Sequence, residues 1–426
     1  MKKTDKKLSF IKAASAQEAV TVQMPLAMLE ALEDSRSAFF GLCVEAGRQV
    51  LETMMEADRV AQCGPKGRHD SERSAVRGGS TPSAVTLGGR RVELRRPRAR
   101  STDGQEIPLP SFVFAADRDP LDQYTLESVA AGVSTRKYRR TLEPAPEGTR
   151  EHSTSKSSVS RRFVALTEKR MRQWLGRPLD DLDLRVVMID GKAFRKHCLL
   201  IALGLDSQGN KHVLGIREGT TENAAVAKAL LRDLIDRGLP SDRAMLFLID
   251  GAKALSSAIT SVYGELGVIG RCQEHKRRNV LDHLPDHLHG HVSRSLRQAW
   301  EARTVSVAKR QLEHLAKSLD QEHPGAAASV REGLEETLTL IRLGVGGALY
   351  KTLRTTNPIE NLNEAVARYA RNVKRWRGGL MIQRWASAAL IEAEKSFRRV
   401  RGYKDMSALV AKLDSLSPLP QEAAVA

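Results

Sequence analysis

The chain has 426 residues, 68 Lys plus Arg against 51 Asp plus Glu, and a formal net charge of +17. Its length excludes a single small module and, at roughly 150 residues per domain, suggests two to four structural units. The positive balance points to a polyanion as partner, while aromatics at 4% argue against an extended base-stacking platform. Charge alone suits a ribosomal or chromatin protein, or one that binds acidic membranes, equally well. No run approaches the ~20 apolar residues that span a bilayer, and the lysine-rich start, Met1 to Lys7, has no apolar stretch behind it. Cys43, Cys63, Cys198 and Cys272 are too few and too scattered for a disulfide framework. A soluble protein of a reducing cytoplasm, with no membrane partner, is the expectation.

From Pro25 to about Cys63, residues Phe40, Val44, Gly47, Leu51 and Met55 recur at helical spacing, which predicts an N-terminal helical region over residues 1–65. Residues 66–115 read as a basic segment, flexible with some β character. Between Lys66 and Arg100, ten Lys/Arg stand against three Asp/Glu, a net of +7 in 35 residues, among the clusters GPKG, RGGS and LGGR. Val92 and Leu94 alternate with Glu93 and Arg95 ahead of Pro97, the pattern of a short edge strand. The local charge suits a phosphate-contacting arm.

Residues 116–184 read as a helical, helix-turn-helix-like DNA-binding region. Within LDQYTLESVAAGVSTRKYRRTLE, Gly132 separates two short helical stretches, Ser134 stands at the start of the second, and Arg136, Lys137, Arg139 and Arg140 lie along it. Groove reading needs a small residue at the turn and a basic second helix, although helix pairs with Gly turns are common in plain packing too. After the linker EPAPEGT, a helix is predicted with Ser157 or Ser158 as cap and Val159, Phe163, Leu166 and Met171 as its apolar face.

From Arg185 the texture changes. RVVMID, HCLLIALGLD and KHVLGIREG read as a three-stranded meander, followed by the amphipathic helix ENAAVAKALLRDLIDRGL, the strand AMLFLID, a helix from Ala252 to about Tyr263 and the strand GVIGRC. The order β-β-β-α-β-α-β is that of the ribonuclease H-like fold. The first and fourth strands would lie side by side and parallel, so Asp190 and Asp250, each last in an apolar strand and each followed by Gly, would emerge together. A D-G dipeptide alone is more often a turn. Two at matching strand ends place like charges in one site, which is costly unless a cation lies between them. Oxygen ligands without thiolate or imidazole favour Mg²⁺ or Mn²⁺ over zinc.

A third acid is expected from RTTNPIENLNEAVARYARNVKRWRGG, where Asn357 is the predicted cap, Pro358 takes the first helical position and Glu360 falls in the first turn. Asn357 and Glu360 also have the spacing of a capping box, and Glu364, one turn on, is the competing ligand. Arg368, Arg371, Lys374, Arg375 and Arg377 follow at near-helical spacing, as a phosphate-facing stripe or an ordinary solvated face.

Taken together, MIDGKAFRKHCLLIALGLDSQGNKHVLGIREGTTENA, FLIDGAKAL, RCQEHKRRNVLDHLP and TTNPIENLNEAVAR resemble the mutator-type transposases, the bacterial insertion-sequence 256 family, from about residue 20 to about residue 403. The resemblance implies an α/β, ribonuclease H-like catalytic domain (β-β-β-α-β-α-β-α). It would be interrupted by an all-helical insertion, giving residues 185–275, 276–353 and 354–403 with a tail at 404–426, preceded by the helical and basic DNA-binding regions. It implies a DDE transposase in which Asp190, Asp250 and Glu360 are the catalytic acids and metal ligands, and in which two Mg²⁺ or Mn²⁺ ions sit about 4 Å apart. Cys272 and His275 would be the family's C-x-x-H pair, active-site accessories. A structural zinc completed by His283, His287, His289 or His291 is the lesser reading, since no second paired motif lies nearby. Trp300 belongs to the core or stacks on a displaced base.

The expected partners are double-stranded DNA, as terminal inverted repeats and target, and further copies of the chain in a homodimer or larger homo-oligomer within the bacterial cytoplasm, on the nucleoid. Metal-dependent strand cleavage and transfer is the expected activity. The alternatives are a structure-specific nuclease or resolvase of the same fold, which cuts without joining, and a non-catalytic end-binding regulator.

Overall fold

The computed structural model describes residues 8–10, 22–24, 36–68, 74–87, 90–117, 129, 133, 135–141, 155–194, 197–219, 223–371, 373 and 375–417. The chain is mixed α/β and divides into two compact units, Met1–Leu166 and Thr167–Ala426. Among the described residues no helix is long and apolar enough to cross a membrane.

In the first unit, a short antiparallel pair, β1 (Leu8–Phe10) and β2 (Val22–Met24), precedes the long helix α1 (Arg36–Cys63). The described part of the basic segment has the β character expected of it. It forms an antiparallel ribbon of β3 (Ala75–Leu87) and β4 (Arg90–Ser101), with β5 (Glu106–Ile107) paired to the end of β4. The cause is the alternation at Val92 and Leu94, which extends to Val85 and Ala99. One face of the ribbon is apolar and packs with Leu51, Met55 and Cys63 of α1, and with Leu109 and Ala115 at and within α2 (Pro110–Asp117). Pro97 is tolerated because it lies next to the bulge between Arg77 and Ser80, beyond the two β4 residues that pair with β5. Part of the positive charge is offset locally. Arg77 reaches Glu56 at 2.7 Å, and Arg96 and Arg98 both grip Glu106, at 2.6 and 2.5 Å.

Of the helix-turn-helix-like stretch 119–142, only residues 129, 133 and 135–141 are among those described, and the rest of that reading lies outside them. What is described differs from a basic α-helix. Arg136 and Lys137 occupy an exposed turn, and Tyr138–Thr141, which includes Arg139 and Arg140, is a single 3-10 turn anchored by the buried Tyr138. The helix α3 (Lys156–Leu175) runs across the division between the units with Val159, Phe163 and Met171 buried. Its first turn is capped by Ser155, whose Oγ accepts from Ser158 N at 3.3 Å, and not by Ser157 or Ser158.

The second unit is built on a five-stranded sheet in the order β10-β9-β6-β7-β8, with β6 (Leu184–Phe194), β7 (His197–Asp206) and β8 (Lys211–Gly219) antiparallel and β9 (Met245–Ile249) and β10 (Gly267–Arg271) parallel to β6. The helices α4 (Ala224–Asp236) and α5 (Lys253–Tyr263) are the crossovers into β9 and β10. Both faces of the sheet are covered, which is why the strands read as continuous apolar runs and not as alternating ones. Val187, Ile189, Leu200 and Phe247 pack on α4 and α5. Val186, Met188, Ile201 and Leu248 pack on the opposite face against α13 (Asn357–Tyr369), α14 (Gly379–Glu394) and α15 (Met406–Asp414).

Between β10 and α13 the chain is helical throughout. It runs through α6 (Gln273–Leu281), α7 (Asp286–Trp300), α8 (Val305–Leu319), α9 (Pro324–Arg331), α10 (Leu334–Thr337), α11 (Thr339–Arg342) and α12 (Gly347–Leu353). Much of this segment surrounds a core of its own, to which Trp300 belongs. The indole is 3% exposed and its Nε1 donates to Thr337 Oγ1, so it is a packing residue.

Candidate active site

The sheet register brings the two aspartates together. Across the parallel β6–β9 pair, Val186, Val187 and Met188 lie opposite Leu246, Phe247 and Leu248, and the same register carried two residues on sets Asp190 level with Asp250. Across β9–β10, Arg271 lies opposite Ile249, so Cys272 follows at the level of Asp250, and its backbone N–H donates to Ile249 O at 2.8 Å. One detail departs from the sequence reading. Asp190 is not last in its strand, because β6 continues in antiparallel pairing with β7 as far as Phe194. Asp250 directly follows Ile249, the last residue of β9. There its Oδ1 accepts from Ala252 N at 2.9 Å while Gly251, at φ +102°, turns the backbone.

The third acid comes from α13. Pro358, expected at the first helical position, is the second residue of the helix, because Asn357, the expected cap, is the first. The N-cap is Thr356, whose side chain makes no capping bond, and the Glu360 carboxylate takes no part in a capping box. Thr356 Oγ1 donates instead to Glu360 Oε1 at 2.9 Å. Glu364 is exposed. The Asp190 carboxyl is pushed up to about 6, by burial first, then by the charge of Asp250, with Glu360 adding to it; the Gly191 N–H and the charge of His275 pull the other way. Asp190 therefore feels both other acids.

Cys272 and His275 belong to the same neighbourhood. Cys272, 2% exposed, starts α6 with its Sγ accepting from His275 N at 3.5 Å. His275 Nδ1 stands 3.2 Å from Thr356 Oγ1 and 3.8 Å from Glu360 Oε1. Hydrogen bonding to Cys272 leads the effects that raise the imidazole above its ordinary range, against burial and together with the charges of Cys272, Glu360 and Asp250. For Cys272, burial alone would raise the thiol, but hydrogen bonds from His275 and Thr356 outweigh it and the net direction is down.

Two polar residues were missed by sequence reasoning. Thr356 is fully buried, and Asn363, 6% exposed, donates from Nδ2 to Asp190 Oδ2 while its own Oδ1 is buried without a protein partner. Thr356, Glu360 and Asn363 follow at intervals of four and three, one face of a helix whose neighbouring buried positions are Ile359, Leu362 and Val366. A polar residue at an apolar position was the available signal.

The predicted basic stripe is broken up. α13 stops at Tyr369, leaving Arg368 exposed on its last turn, and Arg371, Arg375 and Arg377 are exposed on non-helical chain; Lys374 lies outside the described residues. Beyond the helix, Trp376 packs edge-on against Phe194 of β6, with ring centroids 5.2 Å apart, and Gly378 and Gly379 follow.

Among the described residues no group of three or more His, Cys, Asp or Glu side chains stands close enough together to hold a metal ion as placed. The chemistry of the donor set nonetheless fits a hard divalent cation: half-buried carboxylates that repel one another, and beside them the unpartnered amide oxygen of Asn363.

Residues 21–399 match the family described as "Transposase, Mutator family". The transposase for insertion sequence element ISRM5 of Rhizobium meliloti is 27% identical over 373 residues, covering 86% of this chain and 91% of that protein. The transposase for insertion sequence element IS256 in transposon Tn4001 of Staphylococcus aureus is 25% identical over 359 residues, covering 80% of this chain and 87% of its own. With the match spanning nearly the whole sequence, the chain belongs to the mutator family of insertion-sequence transposases.

Proposed function

We propose that the protein cleaves DNA at the ends of an insertion element and joins the freed ends to target DNA, by DDE chemistry on a ribonuclease H-like domain. The observation that carries this reading is the level placement of Asp190 and Asp250 on neighbouring parallel strands, with the Asp190 carboxyl raised by Asp250 and Glu360. The strand order, three antiparallel strands followed by two parallel ones through helical crossovers, supports the fold assignment.

Asp190, Asp250 and Glu360 would hold two Mg²⁺ or Mn²⁺ ions. Such ions, when bound, activate the attacking oxygen and stabilise the leaving one in an in-line displacement at phosphorus. The chain's own part is positional. Asn363 holds one oxygen of Asp190, and the Ala252 N–H holds one oxygen of Asp250. Arg368, Arg371, Lys374 and Arg375, and in the first unit Arg136, Lys137, Arg139 and Arg140, would take DNA phosphates. Cleavage and joining are the same displacement with different nucleophiles, so one site serves both. A homodimer or larger homo-oligomer would hold paired ends on the bacterial nucleoid.

Asp190→Asn is the test. Cleavage of a labelled inverted-repeat duplex in Mg²⁺ should fall on the order of a thousandfold or more, while end binding stays nearly intact. Cleavage retained by that variant would remove Asp190 from the ligand set. Cleavage without joining to plasmid in the unmodified protein would instead indicate a nuclease.

A further inference from the structure

Thr356 stands at the N-cap of α13, 0% exposed, yet its hydroxyl leaves the helix uncapped. Three polar groups surround that hydroxyl: Glu360 Oε1 at 2.9 Å, His275 Nδ1 at 3.2 Å and Cys272 Sγ at 3.4 Å. A hydroxyl has one proton to give and two lone pairs with which to accept. A carboxylate is the strongest acceptor of the three, so the proton goes mainly to Glu360, with Cys272 Sγ as a second, weaker acceptor of it, and a lone pair is left for the His275 Nδ1–H. The two members of the C-x-x-H pair thus orient the Thr356 hydroxyl, which in turn orients the acid.

The other end of this chain of contacts is tied to the sheet. Cys272 N donates to Ile249 O at 2.8 Å, immediately before Asp250, and Gln273 N donates to Arg354 O at 2.8 Å, two residues before Thr356. The start of α13 is therefore clamped to the strand end that carries Asp250, by backbone on one side and by side chains on the other. A glutamate has three rotatable side-chain bonds, and without a fixed partner its carboxylate would spread over several rotamers.

We propose that Thr356, backed by Cys272 and His275, is the positioning residue that sets the Glu360 carboxylate relative to Asp250. This rests on the reading of Glu360 as a metal-binding acid. Thr356 and the pair touch no reacting atom; they act through Glu360.

The test uses the full chain and two substitutions of one buried site. Thr356→Val keeps the shape and removes the hydroxyl, and Thr356→Ser keeps the hydroxyl. Thr356→Val should lower cleavage of an inverted-repeat duplex about 10- to 100-fold, and should raise by a similar factor the Mn²⁺ concentration that half-saturates the DNA-free protein, read by the loss of the free Mn²⁺ paramagnetic resonance signal. Its thermal midpoint and end binding should stay near those of the unmodified protein, and Thr356→Ser should stay within about threefold in both readouts. Should the valine variant not fold, the half-exposed His275 supplies a second arm. There His275→Leu should weaken Mn²⁺ binding and His275→Asn, which offers an amide N–H in about the place of Nδ1, should restore most of it.

The proposal is overturned by a folded Thr356→Val chain that binds Mn²⁺ and cleaves as before, by serine and valine variants equally impaired, or by leucine and asparagine variants that behave alike. Glu360→Gln keeps the two readings apart. If it loses cleavage while Thr356→Val does not, only the positioning role falls; if it cleaves normally, the metal-site reading itself fails.

Discussion

The end of β10 separates two clusters of charge that follow opposite rules. On one side Asp190, Asp250 and Glu360 bring carboxylates toward one another, and the Asp190 carboxyl is raised by its neighbours. On the other side Arg271, with a side chain 4% exposed, and Lys276, at 2%, meet Glu332 and Glu336. Arg271 donates to Glu332 O and to its Oε2, both at 3.2 Å, and Lys276 also donates to Glu332 O, with its Nζ 3.7 Å from the carboxylate. Buried cations there have acids and carbonyls of their own, and the result fixes the helical segment to the sheet. Among the described residues the acids of the first cluster have no Lys or Arg ion pair, and at their edge stands His275, whose imidazole is raised by its hydrogen bond with Cys272 and by the charges of Cys272, Glu360 and Asp250. Compensated charge builds architecture, whereas uncompensated like charge is kept only where something from outside completes it.

Gly251 sits between the two clusters, and substituting it tests whether they are mechanically joined. At φ +102° an L side chain is strained, and a Cβ would lie 2.1 Å from Arg271 Nε. Gly251→Ala should cost on the order of 3 kcal/mol or more in denaturant unfolding, the sum of backbone strain and a displaced buried guanidinium. A loss within about 1 kcal/mol would mean that Arg271 is free to move and that the contrast is not enforced by packing.

The next largest effect separates the acids by sign. The folded chain holds a proton on Asp190 up to about pH 6 and the unfolded chain releases it near 3.8, so stability falls as pH rises across that interval and stays low above it. The penalty is on the order of 2–3 kcal/mol at neutral pH. Asp190→Asn should remove that slope and make the protein more resistant to heat at pH 7 without divalent ions. Added Mg²⁺ should stabilise the unmodified protein and leave the variant little changed. A variant less stable than its parent at pH 7 would mean that the acid cluster is not strained.

How much of this contrast the sequence disclosed depends on the reach of each contact. The strands of the second unit were legible from their apolar runs, and the aspartate pair from two D-G steps closing two such runs. Glu360 came from the family resemblance, since a capping box explained the spacing equally well. Thr356 and Asn363 went unread because each is a single polar residue whose partner lies far along the chain, at His275 and at Asp190. The ribbon of β3 and β4 was obscured for the opposite reason: arginines filled its outer face, and only Val92 and Leu94 betrayed the inner one. The stripe after Arg368 has helical spacing because spacing is local, while the contact that holds the chain beyond the helix, Trp376 on Phe194, is not.

The smallest effect is expected on the compensated side. Burial, and then the charge of Arg271, bring Lys276 down to about 8, against about 10.5 in the unfolded chain. The folded chain therefore gives up this proton first, so the penalty is fully present below pH 8 and stability rises as pH climbs from there toward 10. Lys276→Met keeps the length of the side chain and removes the charge. At pH 7 it loses the bonds to Glu332 but also the cost of burying an ammonium, and replacing a buried charged group by a well-packed apolar one is often neutral or stabilising. The variant should lie within about 1–2 kcal/mol of its parent at pH 7, and the rise in stability between pH 8 and 10 should disappear from its unfolding curves. A larger loss at pH 7, with no slope at high pH in the parent, would mean that the ammonium is needed where it is, and the two sides of β10 would then differ in charge but not in strain.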